Sequence, residues 1–184
     1  SRVELPESVV AKMEDGDGEG VVHEEHADVV AVVCALEGME RSARRMGHHK
    51  FEQLHTDLMD EWDRIAREAR AQTAIDDCYV AVVGAFGSGS GPEEDVAVAV
   101  RIAEGMLAKA EEMRGEGVKV RLGIARGKAT SAMVGVRAGY FTFFGPALWD
   151  AWEVGQLGAE GCIVMTQELS AEGGVEGKTV PCRR

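Results

Sequence analysis

A chain of 184 residues, 45% of them hydrophobic, can bury one good core and is expected to form a single domain. Its formal charge of −12 argues against a nucleic-acid surface, which draws its affinity from clustered Lys and Arg. The longest apolar run, 29–36, is far below the roughly 20 residues of a spanning helix, and no basic start precedes an apolar signal core.

In chain order, residues 1–20 read as a segment linking to an upstream region. The acidic, Gly-rich stretch from Asp15 to Gly20 is its connection to a domain at 21–184. The run from Val29 to Leu36 is apolar and rich in β-branched residues, as in a strand covered on both faces, and Gly38 ends it. From Phe51 to Ala69, the apolar positions Phe51, Leu54, Leu58, Trp62, Ile65 and Ala69 recur at intervals of three and four, predicting one buried helical face. Two short strands, 73–75 and 79–83, flank Asp76 and Asp77, which suit a hairpin turn.

The segment AFGSGSGPEED is a Gly/Ser loop leading into a helix start at Pro92. Val96, Val100, Ala103, Leu107 and Ala110 form that helix's buried stripe. A strand is expected over 118–124 and another over 131–136, followed by a helix from Pro146 to Leu157 and a strand at 162–165. This order is βαββαβ with extra strands and helices, an α+β, ferredoxin-like mixed sheet packed by helices. Four cysteines, Cys34, Cys78, Cys162 and Cys182, show no C-x-x-C spacing and read as buried free thiols of a reducing compartment.

Three blocks resemble the class III adenylate/guanylate cyclase catalytic domain. Residues 4–40 follow that family's L-P-x-x-V-A-x-x-L-x-x-G, a spacer, and then Y-D-x-V-T-V-L-F-A-D-I-V-G-F-T. Residues 51–86 follow L-N-x-L-F-x-x-F-D, then K-T-I-G-D-x-Y-M-V-V-S-G. Residues 118–153 follow L-R-I-G-I-H-x-G, a V-G step, and Y-x-x-x-G-x-x-V-N-x-A-S-R. The resemblance implies the cyclase homology fold and a head-to-tail dimer with composite sites.

The letters that carry the chemistry differ. Two carboxylates would hold the divalent ions that neutralise a triphosphate and activate the attacking 3′-oxygen. The first falls on Ala35 and the second on Asp77. Glu37 shares a strand face with Ala35 but lies about 6.6 Å along the axis, too far to replace it. The loop at Gly38 offers backbone N–H groups to phosphate, but Glu37 and Glu40 flank it. The base-selecting pair maps to Thr73 and Thr142, and a triphosphate-contacting lysine maps loosely to Lys178.

The transition-state asparagine and arginine fall on Trp149 and Glu153. An anion where a cation belongs reverses the sign of a catalytic term in which one lost donor costs about 3 kcal/mol. Asp77 reads equally well as a remnant ligand or as a turn former. Trp149 and Trp152, with Phe141, Phe143 and Phe144, are expected at a protein interface. His23, His26, His48, His49 and His55 form no closed zinc set.

The expectation is therefore a catalytically degenerate, dimerising regulatory or scaffold module in cyclic-nucleotide signalling. No cofactor is expected, with Mg²⁺ or Mn²⁺ entering only if nucleotide binding remains. Its partner would be itself or a homologous cyclase domain. The alternatives are an active purine nucleotide cyclase within a dimer, making cyclic nucleotide and pyrophosphate from ATP or GTP, and a nucleotide sensor without turnover. A cytoplasmic place is expected, within a larger or membrane-attached protein, since the chain starts at Ser1 without a methionine.

Overall fold

The computed structural model describes residues 6–7, 9–11, 23–114, 116–134 and 139–172. Its sheet begins with β1 (His23–Glu37), whose residues from Val29 to Cys34 are all buried. Burial on both faces is what a continuous β-branched run demands. Two helices follow, α1 (Met39–Met46) and α2 (His48–Glu68), then the hairpin β2 (Gln72–Ile75) and β3 (Tyr79–Val83). A single turn at Ala85–Gly87 leads to α3 (Pro92–Arg114), β4 (Lys119–Val134) and β5 (Tyr140–Phe144). The described part closes with α4 (Pro146–Leu157), β6 (Ile163–Met165) and α5 (Gln167–Glu172).

The strand order is β2-β3-β1-β4-β5, with β6 also paired to β4. All pairs are antiparallel except β4 with β6. The order β2-β3-β1-β4 is the sheet that βαββαβ connectivity builds, with β5, α4, β6 and α5 as additions. One face of the sheet packs Val30, Val32 and Cys34 against α2 and α3 through Trp62, Ile102 and Met106. The other face packs Val29, Ala31 and Val33 with Phe141, Phe143 and the α4 residues Ala147, Leu148 and Ala151.

Four elements differ from the sequence expectation. The strands expected over 118–124 and 131–136 are one strand, β4, because Gly127 pairs with Val29 and Arg126 with Val30. Arg126 is held there by a two-pronged contact with Asp28, its Nε donating to Oδ1 at 2.7 Å. Positions 135–136 of the expected second strand lie outside the described residues. The other three differences are unread elements, the short helices α1 and α5 and the strand β5.

Glycine sets two close approaches. A Cβ on Gly123 would overlap the carbonyl oxygen of Ala151 and the amide of Gly155, so α4 lies backbone to backbone on β4. Gly38 has φ 79°, and a Cβ there would meet the Gly117 carbonyl oxygen at 2.8 Å. Ser42 of α1 secures the same contact, donating to the Glu116 carbonyl at 2.6 Å. The Asp15–Gly20 connection lies outside the described residues.

Candidate functional site

The last pair of the β1–β3 ladder is Cys34 with Tyr79. Ala35 and Asp77 lie one and two residues beyond it, so the fold brings the two expected metal positions to the same sheet end. There they offer one methyl group and one carboxylate. Asp77 is exposed in the β2–β3 turn, which the Asp76 N–H closes by donating to the Cys78 carbonyl at 3.1 Å. Burial raises the Cys78 thiol pKa, and the charges of Asp77 and Asp76 raise it further.

Across the β1–β4 ladder, Ala35 stands directly opposite Arg121. The Arg121 guanidinium donates through Nε to Glu37 Oε1 at 2.9 Å and through a terminal nitrogen to the Gly158 carbonyl at 2.5 Å. Glu37 is thus committed to an arginine as well as displaced along the strand. Among the described residues no three His, Cys, Asp or Glu side chains come together in a set that could hold a metal ion. A guanidinium opposite Ala35 and a lone aspartate pair on an exposed turn do not fit a two-ion centre.

Thr73 sits on β2 opposite Ala81, on the face that packs under α2. On the same face, the Tyr79 phenol donates to Asp63 Oδ1 at 2.7 Å. Burial, followed by the Asp63 bond, lifts the Tyr79 pKa far above the usual tyrosine range.

Thr142 lies on β5, which touches β2 although the two strands are far apart in the sheet order. Strand alternation turns both threonines away from the face carrying Ala74, Phe141 and Phe143. The Thr142 hydroxyl makes only a long contact to its neighbour's carbonyl, 3.4 Å from the Phe143 oxygen. Gly38 is accounted for by its backbone conformation at the entry to α1. Lys178 lies outside the described residues.

Trp149 and Glu153 lie one turn apart on the solvent side of α4, with Asp150 and Trp152 between them. Trp149 is 63% exposed and Trp152 50%. The aromatic segment before the helix divides by strand alternation: Phe144 is 44% exposed, whereas Phe141 and Phe143 are each 6% exposed. The interface expectation for Phe141 and Phe143 is thereby corrected. Their rings meet edge to face at 5.1 Å, and Phe143 also packs near His26 and Phe86, all within one protomer.

His26 is buried in this layer, with Nε2 2.9 Å from Ser131 Oγ and the Phe86 amide at 3.5 Å from Nδ1. The sequence reading missed Arg121, Asp63 and Ser131 as partners of site residues. Only Arg121 had a signal, as the arginine of the L-R-I-G-I block.

The family model for the adenylate and guanylate cyclase catalytic domain matches residues 21–178. Three solved structures show the same fold. The adenylyl cyclase CyaB from P. aeruginosa superposes with a TM-score of 0.68 at 17% identity, over 82% of each chain. The guanylate cyclase domain of RhGC from Catenaria anguillulae, solved with GTP, gives 0.69 at 18% identity over 81% of this chain and 83% of that one. The guanylyl cyclase domain of the RhoGC fusion protein from the aquatic fungus Blastocladiella emersonii, in a dimeric form described as atypical, gives 0.69 at 17% identity over 83% and 86%. That domain has also been solved as a monomer. No curated protein sequence matches the chain.

Proposed function

The chain belongs to the adenylate and guanylate cyclase catalytic-domain family, and on that premise we propose that it associates, with itself or a homologous cyclase domain, without turning over nucleotide. One observation carries this reading. The solvent side of α4, where cyclisation needs an amide and a cation for the charge gathering on the α-phosphate, carries Trp149 and Glu153. Preorganised donors there are commonly the largest catalytic contribution, and Glu153 would oppose that charge.

Loss at Ala35 supports the same reading from the other half of a composite site. A partner that supplied only carboxylates, or only the asparagine and arginine, would complete neither site. Exposed Trp149, Trp152 and Phe144 supply the large apolar anchors that interfaces favour. The dimeric form of the RhoGC domain supports association as a state open to this fold.

Calorimetric titration with non-hydrolysable ATP and GTP analogues, in Mg²⁺ and in Mn²⁺, tests the proposal. Absence of binding heat is the expected result, because Asp77 has no partner ligand at Ala35. Saturable binding that is lost on Asp77→Ala would replace the proposal with a nucleotide-sensing role.

A further inference from the structure

Among the described residues His26 is the one histidine in the core. His23, His48 and His49 are exposed and His55 is half-buried. His26 lies where β1 departs from regular pairing, at the register shift between His26 and Val29. Its ring enters the layer that packs beneath α4, edge to face with Phe86 at 4.5 Å and 6.0 Å from Phe143. Both ring nitrogens are engaged there, Nε2 with the Ser131 hydroxyl at 2.9 Å and Nδ1 with the Phe86 amide at 3.5 Å.

The two ends of this chain of bonds fix its direction. The Phe86 N–H can only donate, so Nδ1 accepts and the proton of a neutral ring sits on Nε2. Nε2–H then donates to Ser131 Oγ, whose own proton points to the Glu24 carbonyl 3.4 Å away. A second proton on the ring would set Nδ1–H against the Phe86 N–H and bring a charge into a layer of phenylalanines. Phe86 is the side of this contact that can give. Its φ of 55° lies in the left-handed region, which a bulky residue holds only where its surroundings impose it. Those surroundings are the bond of its amide to His26 and the packing of its ring near Phe141 and Phe143, each 6.3 Å away.

We propose that His26 is an acid-sensitive latch: when neutral it holds the Ala85–Gly87 turn against β5, and when protonated it releases that turn and the loop leading into α3. The latch stands whether or not the chain associates or binds nucleotide. The titratable and charged groups around it are His23, Glu24, Glu25 and Asp28 on β1, Arg126 and Lys128 on β4, and Asp95 at the start of α3. The turn itself carries none, β5 has only Tyr140, and the acids of α4, Asp150 and Glu153, lie on its solvent side. The hydrogen bond from Arg126 holds the Asp28 carboxyl below its usual range, so that pair stays charged across the window in which imidazole titrates. Asp95 accepts the Ser90 amide at 2.8 Å, which ties the loop after the turn to the first turn of α3.

Nitrogen-15 NMR of the full chain with labelled histidine tests this without a variant. At pH 8 His26 should show an unprotonated Nδ1 and a protonated Nε2, and the reverse tautomer would overturn the latch. Urea unfolding then compares the wild type with His26→Gln, whose amide can accept and donate in the same places without taking a charge. The fold resists the proton that an unfolded imidazole takes at about pH 6.5, so the wild type's stability is fully present above that pH and declines below it. Between pH 7.5 and pH 5.5 its folding constant should fall by about tenfold more than that of His26→Gln. Hydrogen exchange of the Phe86 amide, corrected for the intrinsic effect of pH, should rise over the same window in the wild type only. Equal losses in the two proteins, or a Phe86 amide still fully protected at pH 5.5, would overturn the proposal. If His26→Gln does not fold, the tautomer and the Phe86 amide of the wild type decide it.

Discussion

Ala35 and Arg121 face each other across the β1–β4 ladder, so the position where a cyclase would place its first metal-binding carboxylate has a fixed guanidinium as its cross-strand neighbour. Arg121 satisfies itself with Glu37 and the Gly158 carbonyl. An aspartate introduced at 35 therefore arrives beside an arginine already in place.

Ala35→Asp alone is expected to leave cyclic AMP and cyclic GMP production at background in Mn²⁺. The new carboxylate meets Arg121, and the α-phosphate would still face Glu153. Restoring product requires at least the triple change Ala35→Asp, Trp149→Asn and Glu153→Arg. Activity from the single change, read by product quantification, would show that the α4 assignments are wrong.

The aromatics divide into core and surface, and their alanine variants should divide with them. Phe143→Ala is expected to cost about 3–5 kcal/mol, because it removes a buried ring packed on Phe141 and near His26. Trp149→Ala, at an exposed site, should change stability by less than about 0.5 kcal/mol. Urea unfolding of the two variants gives both numbers.

Gly123→Ala tests the packing of α4. The added methyl would run into the backbone of Ala151 and Gly155, which no side-chain movement can relieve. A loss of about 3 kcal/mol, at the upper end of ordinary overpacking, is the expected outcome in the same assay. A neutral result would mean that α4 sits further from β4.

Tyr79 gives the pH dependence. Its folded pKa is raised, by burial first and then by the Asp63 bond, so the folded state holds a proton that the unfolded chain releases near pH 10. The contribution is fully present below pH 10 and declines above it, by at most about 1.4 kcal/mol per pH unit. Tyr79→Phe should be less stable than wild type at pH 8, and the gap should narrow between pH 10 and pH 11. A gap that stays constant would place the phenol in water.

The sequence revealed most where local signals agree with packing. Pro146 after Gly145 and Gly158 after Leu157 bracket α4, and its limits match the expected helix. The apolar run of β1 announced burial on both faces. Helix α1 escaped notice because MERSARRM is short and polar, held by Gly38, Gly47 and the Ser42 bond to Glu116, not by an apolar stripe. The stretch ARGKAT looked like a break in β4, since only the β1 pairing shows that Arg126 answers Asp28.

The assignments of Ala35, Asp77, Trp149 and Glu153 were read from the blocks in which they stand. Their surroundings were not. The Ala35–Arg121 opposition depends on long-range register, and the Tyr79 bond to Asp63 depends on how a hairpin meets α2. The division of the phenylalanines follows the alternation of β5, and it was missed because that strand was not read.

The central claim is that this cyclase-family domain does not convert nucleotide, and cyclic-nucleotide production in Mn²⁺ tests it most directly. With ATP and with GTP, the full chain should yield no more cyclic AMP or cyclic GMP than its Asp77→Ala variant. Product that accumulates with the full chain and disappears with Asp77→Ala would contradict the account.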